Sequence, residues 1–355
     1  MFSLPPVHLV GGGACTSVGG TLSASAAAVR AGITAFENHP YLVDSVSKPL
    51  VLAQVAWLPM EVEGVGRLAA LAALAADEAL GALLPFASRL GPIPMIVGLP
   101  SKRPGLPPNV EPELARALRR RQPAGLPLGS IETIPGGHAA GLLAIKAGSD
   151  RIRSGAVDFC LVGGVDSYLD VATLEWLEGC QQIHSAGARN NAWGFIPGEA
   201  AGFCLLASAK GAAACRLDRT ATIRAVEMAV EPSLIKTDAI CLGWGLTAAF
   251  EQAFQSLDSG ADMVDEIYCD MNGEPYRAEE YGFASLRTAE RFVDAGAFIA
   301  PADCWGDVGA ASGPLYLNLA GIAHRKRYSE AERTLIWASS EGGERTAAIV
   351  SFERM

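Results

Sequence analysis

A chain of 355 residues, half of them apolar and 19% charged, can build two domains or one large duplicated one around an ample core. Its formal net charge of -10 argues against a general nucleic-acid binder. Abundant Ala and Gly fit tightly packed helix-on-sheet layers and exclude a disordered chain.

The predicted elements alternate along the chain. Val7 to Val10 reads as a strand ending at Gly11-Gly12-Gly13, Thr21 to Ala31 as a helix, Pro49 to Ala56 as a strand and Arg67 to Leu84 as an Ala/Leu helix. Pro94 to Leu99 (strand), Glu111 to Arg121 (helix), Leu142 to Arg153 (helix), Val157 to Val162 (strand) and Ala200 to Ala207 (strand) complete the first half. A second half begins near Cys215. It contains strands at Thr222 to Val230 and Val264 to Cys269, then helices at Leu246 to Leu257, Ala278 to Val293 and Val308 to Arg325. Strands at Thr334 to Ala338 and Thr346 to Phe352 close it. Continuous apolar strands separated by helices imply a sheet covered on both faces. Each half has a Gly-rich turn entering a helix, at Gly136-Gly137 and at Gly306 to Gly313, as a duplicated α/β unit over 1–215 and 216–355 would. Pro100 to Pro108 and Gln122 to Leu128 read as loops within the first half.

The eight cysteines are scattered with no C-x-x-C pair, so they read as reduced thiols of a cytoplasmic protein. No uninterrupted apolar run reaches the ~20 residues of a membrane span, and Met1 to Leu4 carries no charged leader region, so no membrane segment is expected. No His/Cys/Asp/Glu group has metal-site spacing. The Gly-Gly pairs at 136, 163 and 342 do not form a nucleotide fingerprint, and no cofactor is expected. Trp176, Trp193, Trp244 and Trp305 read as core or dimer-interface residues.

The stretch from Ser130 to Ser208 carries the most chemistry. It runs IPGGHAAGLLAIKAGSDRIRSGAVDFCLVGGVDSY and later GFIPGEAAGFCLLAS. In this order it resembles the β-ketoacyl synthases of the thiolase superfamily, with their R-S-G-x-x-D helix end, A-L-x-G-G-V strand and G-F-V-P-G-E-G-A-G turn. Leu9 to Gly19 is similar to that family's first strand and turn, and Ala338 to Val350 to its last strand pair. The resemblance implies a duplicated thiolase-like α/β fold with five αβαβα layers, as a homodimer.

It also implies where the reaction centre lies. Condensation requires a thiolate at a helix N-terminus, two polar side chains (usually His) to stabilise an enolate, and an oxyanion hole. By the resemblance His138 stands at the nucleophile. Asp270, Met271 or Asn272 stands near the first histidine and Asp307 at the second. With all three changed, ordinary decarboxylative condensation is not expected.

Cys269 and Cys304 flank these motifs and read as core or rim thiols. Two readings of the altered set stay open: His138, Asp270, Asn272, Glu274 and Asp307 as an acid–base centre, or His138 and Asp307 as helix caps. Arg119 and Arg120, with Arg116 and Arg121, either receive an acyl carrier protein or coenzyme A, as basic patches in the family do, or complement their own helix end. Whether the chain is an enzyme is thus open. It is either a non-condensing companion or adaptor to a protein partner, or an acyl-thioester-handling enzyme performing acyl transfer, hydrolysis or decarboxylation.

Overall fold

The computed structural model describes residues 5–121, 126–184, 191–235, 237, 239–258 and 262–353. Met1 to Leu4 and positions 122–125 of the expected loop lie outside the described residues. The first half contains β1 (Val7–Thr16), α1 (Leu22–Arg30), β2 (Glu37–Val43), β3 (Pro49–Leu52), α2 (Gly64–Leu80), β4 (Ile93–Leu99) and α3 (Val110–Arg121). It continues with β5 (Leu128–Pro135), α4 (Ala140–Arg153), β6 (Phe159–Ser167), α5 (Val171–Gly179), β7 (Glu199–Ser208) and α6 (Ala209–Ala214). The second half has β8 (Ala221–Val230), α7 (Trp244–Phe254), β9 (Glu266–Cys269), α8 (Pro275–Arg287), β10 (Phe298–Ile299) and α9 (Ala302–Trp305). It ends with α10 (Ser312–Arg325), β11 (Arg333–Ser339) and β12 (Glu344–Ser351).

Ten strands form one sheet in the order β10-β9-β11-β12-β8-β1-β7-β6-β4-β5. Read inward from each edge, both groups of five follow the same course. Three parallel strands are followed by two antiparallel ones, ending on the first strand of that half. The groups join where β1 pairs with β8 over Val7 to Leu9.

Strand alternation then sorts the side chains into layers. Ile96, Cys160, Val162, Cys204 and Leu206 face a central core with α4 and α10, and from the other five strands Tyr268, Ile336, Ala348 and Val350 face the same core. Their neighbours Met95, Val97, Leu161, Phe203 and Leu205 turn outward onto α2 and α3. Ile267, Leu335, Trp337 and Ile349 turn outward onto α7 and α8. The result is the mixed α/β fold of the thiolase type, with helices outside, five strands, two central helices, five strands, and helices outside.

The central helices approach closely because small residues line their crossing. A Cβ on Gly141 would lie 2.4 Å from Pro314 Cδ and 2.5 Å from the Ala310 carbonyl oxygen. Each helix is preceded by one tight 3-10 turn, Gly137–Ala139 and Gly309–Ala311. Gly137 and Gly309 enter these turns at φ +70° and +47°, which glycine alone adopts without strain.

Several elements differ from the sequence reading. β1 does not stop at Gly11 but runs through the glycines to Thr16. Those glycines let α2 pack directly on the strand, since a Cβ on Gly13 would sit 2.0 Å from the Ala75 carbonyl oxygen. β3 pairs only with β2, outside the large sheet. Helix α8 starts at Pro275 and ends at Arg287, earlier than its apolar pattern suggested. β2, β5 and α5 were not anticipated, because half-exposed strands and a short helix leave weak periodicity.

The helical run Gly64–Arg89 has 26 residues and a mean hydropathy of 1.6, enough by length and composition to cross a bilayer. Ten residues of its α2 portion are buried against the sheet. Of the four tryptophans, Trp305 is fully buried, whereas Trp193 and Trp244 are 69% and 56% exposed and are not core residues.

Candidate functional site

The turn before α4, the end of β9 and the turn before α10 bring one polar network together beneath the last strand pair. The His138 ring Nε2 lies 2.8 and 2.9 Å from the two Asp307 carboxylate oxygens. Asp307 also accepts the Gly309 backbone N–H at 2.8 Å and the Asn272 side-chain amide at 2.6 Å. That amide also donates to Glu274 Oε2 at 3.0 Å. Arg277 Nη2 lies 3.2 and 3.4 Å from the two ring nitrogens of His138. Its other arm, Nη1, donates to Asp270 Oδ2 at 2.6 Å and to the Ser339 carbonyl at 2.9 Å. Asp270 Oδ2 in turn accepts the Ser339 N–H at 2.7 Å. His138, Asp307, Arg277 and Asp270 are all at most 5% exposed.

Burial at this depth disfavours charge, so the network holds its charges in pairs. Burial works against protonation of His138, but the facing Asp307 carboxylate outweighs it and holds the imidazole pKa above its ordinary value, with Arg277 opposing. Burial likewise favours the neutral acid at Asp307. His138, then Arg277 and the Gly309 N–H, nevertheless hold that carboxyl well below the usual carboxylate range. The two shifts favour an imidazolium–carboxylate pair beside the Arg277–Asp270 pair, with Arg277 opposing the charge on His138. A base at neutral pH would need a neutral imidazole, and this arrangement opposes one.

All five residues expected in this centre therefore meet: His138 and Asn272 touch Asp307 directly, Glu274 accepts from Asn272, and Asp270 joins through Arg277. Asp307 caps its turn through Gly309, while His138 makes no cap. The N–H of Ala139, behind His138, is taken by Ser340 Oγ at 2.9 Å, and Ser340 Oγ donates to the Gly136 carbonyl. Arg277, the bridging cation, was missed in the sequence. Its one signal is its place three residues after Glu274 and seven after Asp270. A second buried pair, Arg103 to Asp166 at 2.6 Å, ties β6 to the turn before α10, because Asp166 Oδ2 accepts the Ala310 N–H at 3.1 Å. The glutamate of the Gly-Glu motif, Glu199, is likewise held inside, by Arg67 at 2.5 and 2.7 Å, Ser167 Oγ and the Val55 N–H.

His138 lines a pocket of about 40 Å³ together with Ser101, Lys102, Tyr168, Trp176 and Glu341. That holds about one water molecule, far below the ~300–1,000 Å³ of small-molecule sites. Cys269 and Cys304 do not enter the network. Both are buried, burial pushes both thiols up, and Cys269 Sγ donates to the Ile299 carbonyl. Arg119 and Arg120 are exposed at the C-terminal end of α3 and do not line the His138 pocket, whose basic residues are Lys102 and Arg103.

Glu231, Cys241 and Glu280 are separate in sequence, yet their ligand atoms lie within 4.8 Å of one another. Their carboxylates are already engaged, Glu231 by the Ser233 and Gly245 N–H groups and Glu280 by Arg345.

Comparison with known proteins agrees with this fold. Residues 129–212 match the family described as β-ketoacyl synthase, N-terminal domain, a segment covering β5 to α6 and including His138. No curated protein matches the sequence as a whole. The ishigamide ketosynthase/chain length factor superposes over 99% of this chain and 100% of its own with a TM-score of 0.78 at 17% identity. A type II polyketide ketosynthase in complex with its acyl-carrier protein gives the same coverages and TM-score at 14% identity. The ketosynthase from module 6 of the bacillaene synthase of Bacillus subtilis 168 gives a TM-score of 0.79 at 13% identity, over 99% of this chain and 72% of that one. The chain thus has the fold of these ketosynthases, and its segment 129–212 is similar to the N-terminal domain of the β-ketoacyl synthases.

Proposed function

We propose that this chain is a non-condensing companion or adaptor subunit with a ketosynthase fold, built from two halves at 1–215 and 216–355. The observation that carries this reading is the occupant of the helix start that bears the nucleophile in condensing relatives. It is His138, paired with the Asp307 carboxylate and flanked by Arg277, beside a pocket of about 40 Å³. Such a group is a poor nucleophile and leaves no room for an acyl chain. The similarity to a ketosynthase/chain length factor supports a ketosynthase-type chain as partner, and the similarity to a ketosynthase bound to its acyl-carrier protein supports a carrier protein as a second contact. Arg119 and Arg120 are the exposed basic residues we assign to that contact on this acidic chain.

The test is co-expression with a cysteine-bearing ketosynthase and an acyl carrier protein from the same gene neighbourhood, followed by native mass spectrometry. A heteromer with the ketosynthase is expected. A chain that forms only homodimers and captures neither protein refutes the companion role.

A second reading is favoured by one observation: His138, a potential acid, lines a pocket that opens beside Ser101 and Lys102. On that reading the chain hydrolyses or decarboxylates a small thioester, with the imidazolium as general acid. Turnover of acetyl or malonyl thioesters that disappears in His138→Gln would establish it.

A further inference from the structure

A cavity of about 300 Å³ lies away from His138, between the two helices that cover the inner face of β9 and β10. Helix α1 presents Ala26, Val29 and Arg30 to it, and α10 presents Leu319, Ile322 and Ala323. Both triplets have the i, i+3, i+4 spacing of one helix face. The floor comes from the sheet. Glu266 and Tyr268 alternate on β9, and Ile299 of β10 pairs with Tyr268. A volume at the lower end of small-molecule sites, with mostly aliphatic walls, fits a compact apolar body.

Two polar groups on the floor are left incomplete by the protein. Tyr268 is 4% exposed, lines the cavity, and its hydroxyl has no hydrogen-bond partner among the described residues. A phenol buried this deeply ordinarily finds one. Glu266, two residues before it, accepts a hydrogen bond from Thr334 Oγ1 at 3.0 Å but forms no ion pair among the described residues. Burial raises its pKa, opposed by hydrogen bonds from Ser329 and Thr334 and by the more distant His324, with Asp265 adding to the rise. Arg30, exposed at the rim, lies 3.6 Å over the Tyr328 ring and forms no ion pair with Glu266 among the described residues. The floor therefore offers an acidic and a phenolic oxygen, and the walls offer hydrocarbon.

We propose that this cavity binds a small amphipathic amine, its ammonium group between Glu266 and Tyr268 and its apolar body against Val29, Leu319, Ile322 and Ile299. An ammonium ion would give the carboxylate its missing charge partner and the phenol oxygen a donor. A carboxylic acid would set a second negative charge beside Glu266, and an alcohol would leave the carboxylate unpaired.

The experiment uses the full chain and three probes of equal length, hexylammonium, hexanol and hexanoate, measured by calorimetry and by saturation-transfer NMR. Hexylammonium is expected to bind at least about tenfold more tightly than either other probe, the scale of a charge-assisted hydrogen bond in a dry site. In Glu266→Gln that advantage disappears, and in Tyr268→Phe hexylammonium weakens severalfold. Equal binding of all three probes, tighter binding of hexanoate, or no saturation transfer to hexylammonium at millimolar concentration overturns the proposal. These outcomes are independent of the companion role, since neither residue belongs to the His138 network.

Discussion

Replacing Asp307 tests the charge arrangement most sharply, because one carboxylate is the direct partner of His138, Asn272 and the Gly309 N–H. Asp307→Asn keeps the shape and removes the charge, leaving His138 and Arg277, 3.2 Å apart, with the Asp270 carboxylate as the nearest compensation. Breaking a buried pair in this way costs about 3–5 kcal/mol, a large share of the ~5–15 kcal/mol that holds a typical domain. His138→Gln should cost less, about 1–3 kcal/mol, because Asp307 keeps Asn272, the Gly309 N–H and the nearby Arg277.

In the double variant the uncompensated imidazolium is gone. The double variant should therefore cost less than the sum of the two single variants by at least about 1.5 kcal/mol. Urea unfolding, followed by the fluorescence of the buried Trp305 and Trp337 and by circular dichroism, measures all four corners of the cycle. The pH dependence follows from the same pair. The folded pKa of His138 is raised above 6.5, so its stabilisation is fully present below pH 6.5 and is lost as pH rises through the folded value. Asp307 is shifted down from 3.8, so its contribution is present above that pH and fades as the medium becomes more acidic. The difference between the unmodified chain and His138→Gln should peak between pH 3.8 and 6.5 and shrink above it. Costs that add to within about 0.5 kcal/mol, or a difference that grows with rising pH, would refute the ion pair.

Other consequences follow from packing and exposure. Burial pushes the Cys15 and Cys160 thiols up to about 12 and raises Cys269 as well, so iodoacetamide at pH 7.5 should modify the exposed Cys180 first and leave these three untouched. Native-state alkylation of Cys269 seen by peptide mapping would contradict its place in the core. Gly141→Ala should destabilise by about 1–3 kcal/mol, because the new methyl meets Pro314 and the Ala310 carbonyl. Gly66→Ala, on the exposed face of α2 with its nearest atom 3.8 Å away, should stabilise by up to about 1 kcal/mol, and thermal melts that fail to separate the two would count against the helix crossing. Arg119→Glu with Arg120→Glu should leave the melting temperature unchanged and weaken carrier-protein capture. Unchanged capture would move the docking face elsewhere.

Much of this fold was legible in the sequence, because buried strands such as 157–162 and 200–207 are continuous apolar runs that only a doubly covered sheet accommodates. The motif order around His138 then located the site, and Asp307 followed from its place before the glycine-rich entry to α10. What stayed hidden depends on close approach in space. The Gly11 to Gly13 run looked like a strand end because its reason for being glycine lies far along the chain, in the α2 backbone against Gly11 and Gly13 and in Asn318 of α10 against Gly12. β5 was not anticipated because it is an edge strand, half-exposed on both faces, with the polar Ser130, Glu132 and Thr133 in its course. Arg277 looked like one helix charge among several, although the fold aims it between Asp270 and His138.

The most direct test of the central claim, that this ketosynthase fold does not condense acyl groups, is intact-protein mass spectrometry after incubation with acyl and malonyl thioesters, with the released products analysed in parallel. The account predicts an unmodified chain mass and no β-ketoacyl product. A stable acyl adduct on any residue, accompanied by β-ketoacyl thioester that disappears in His138→Gln, would contradict it.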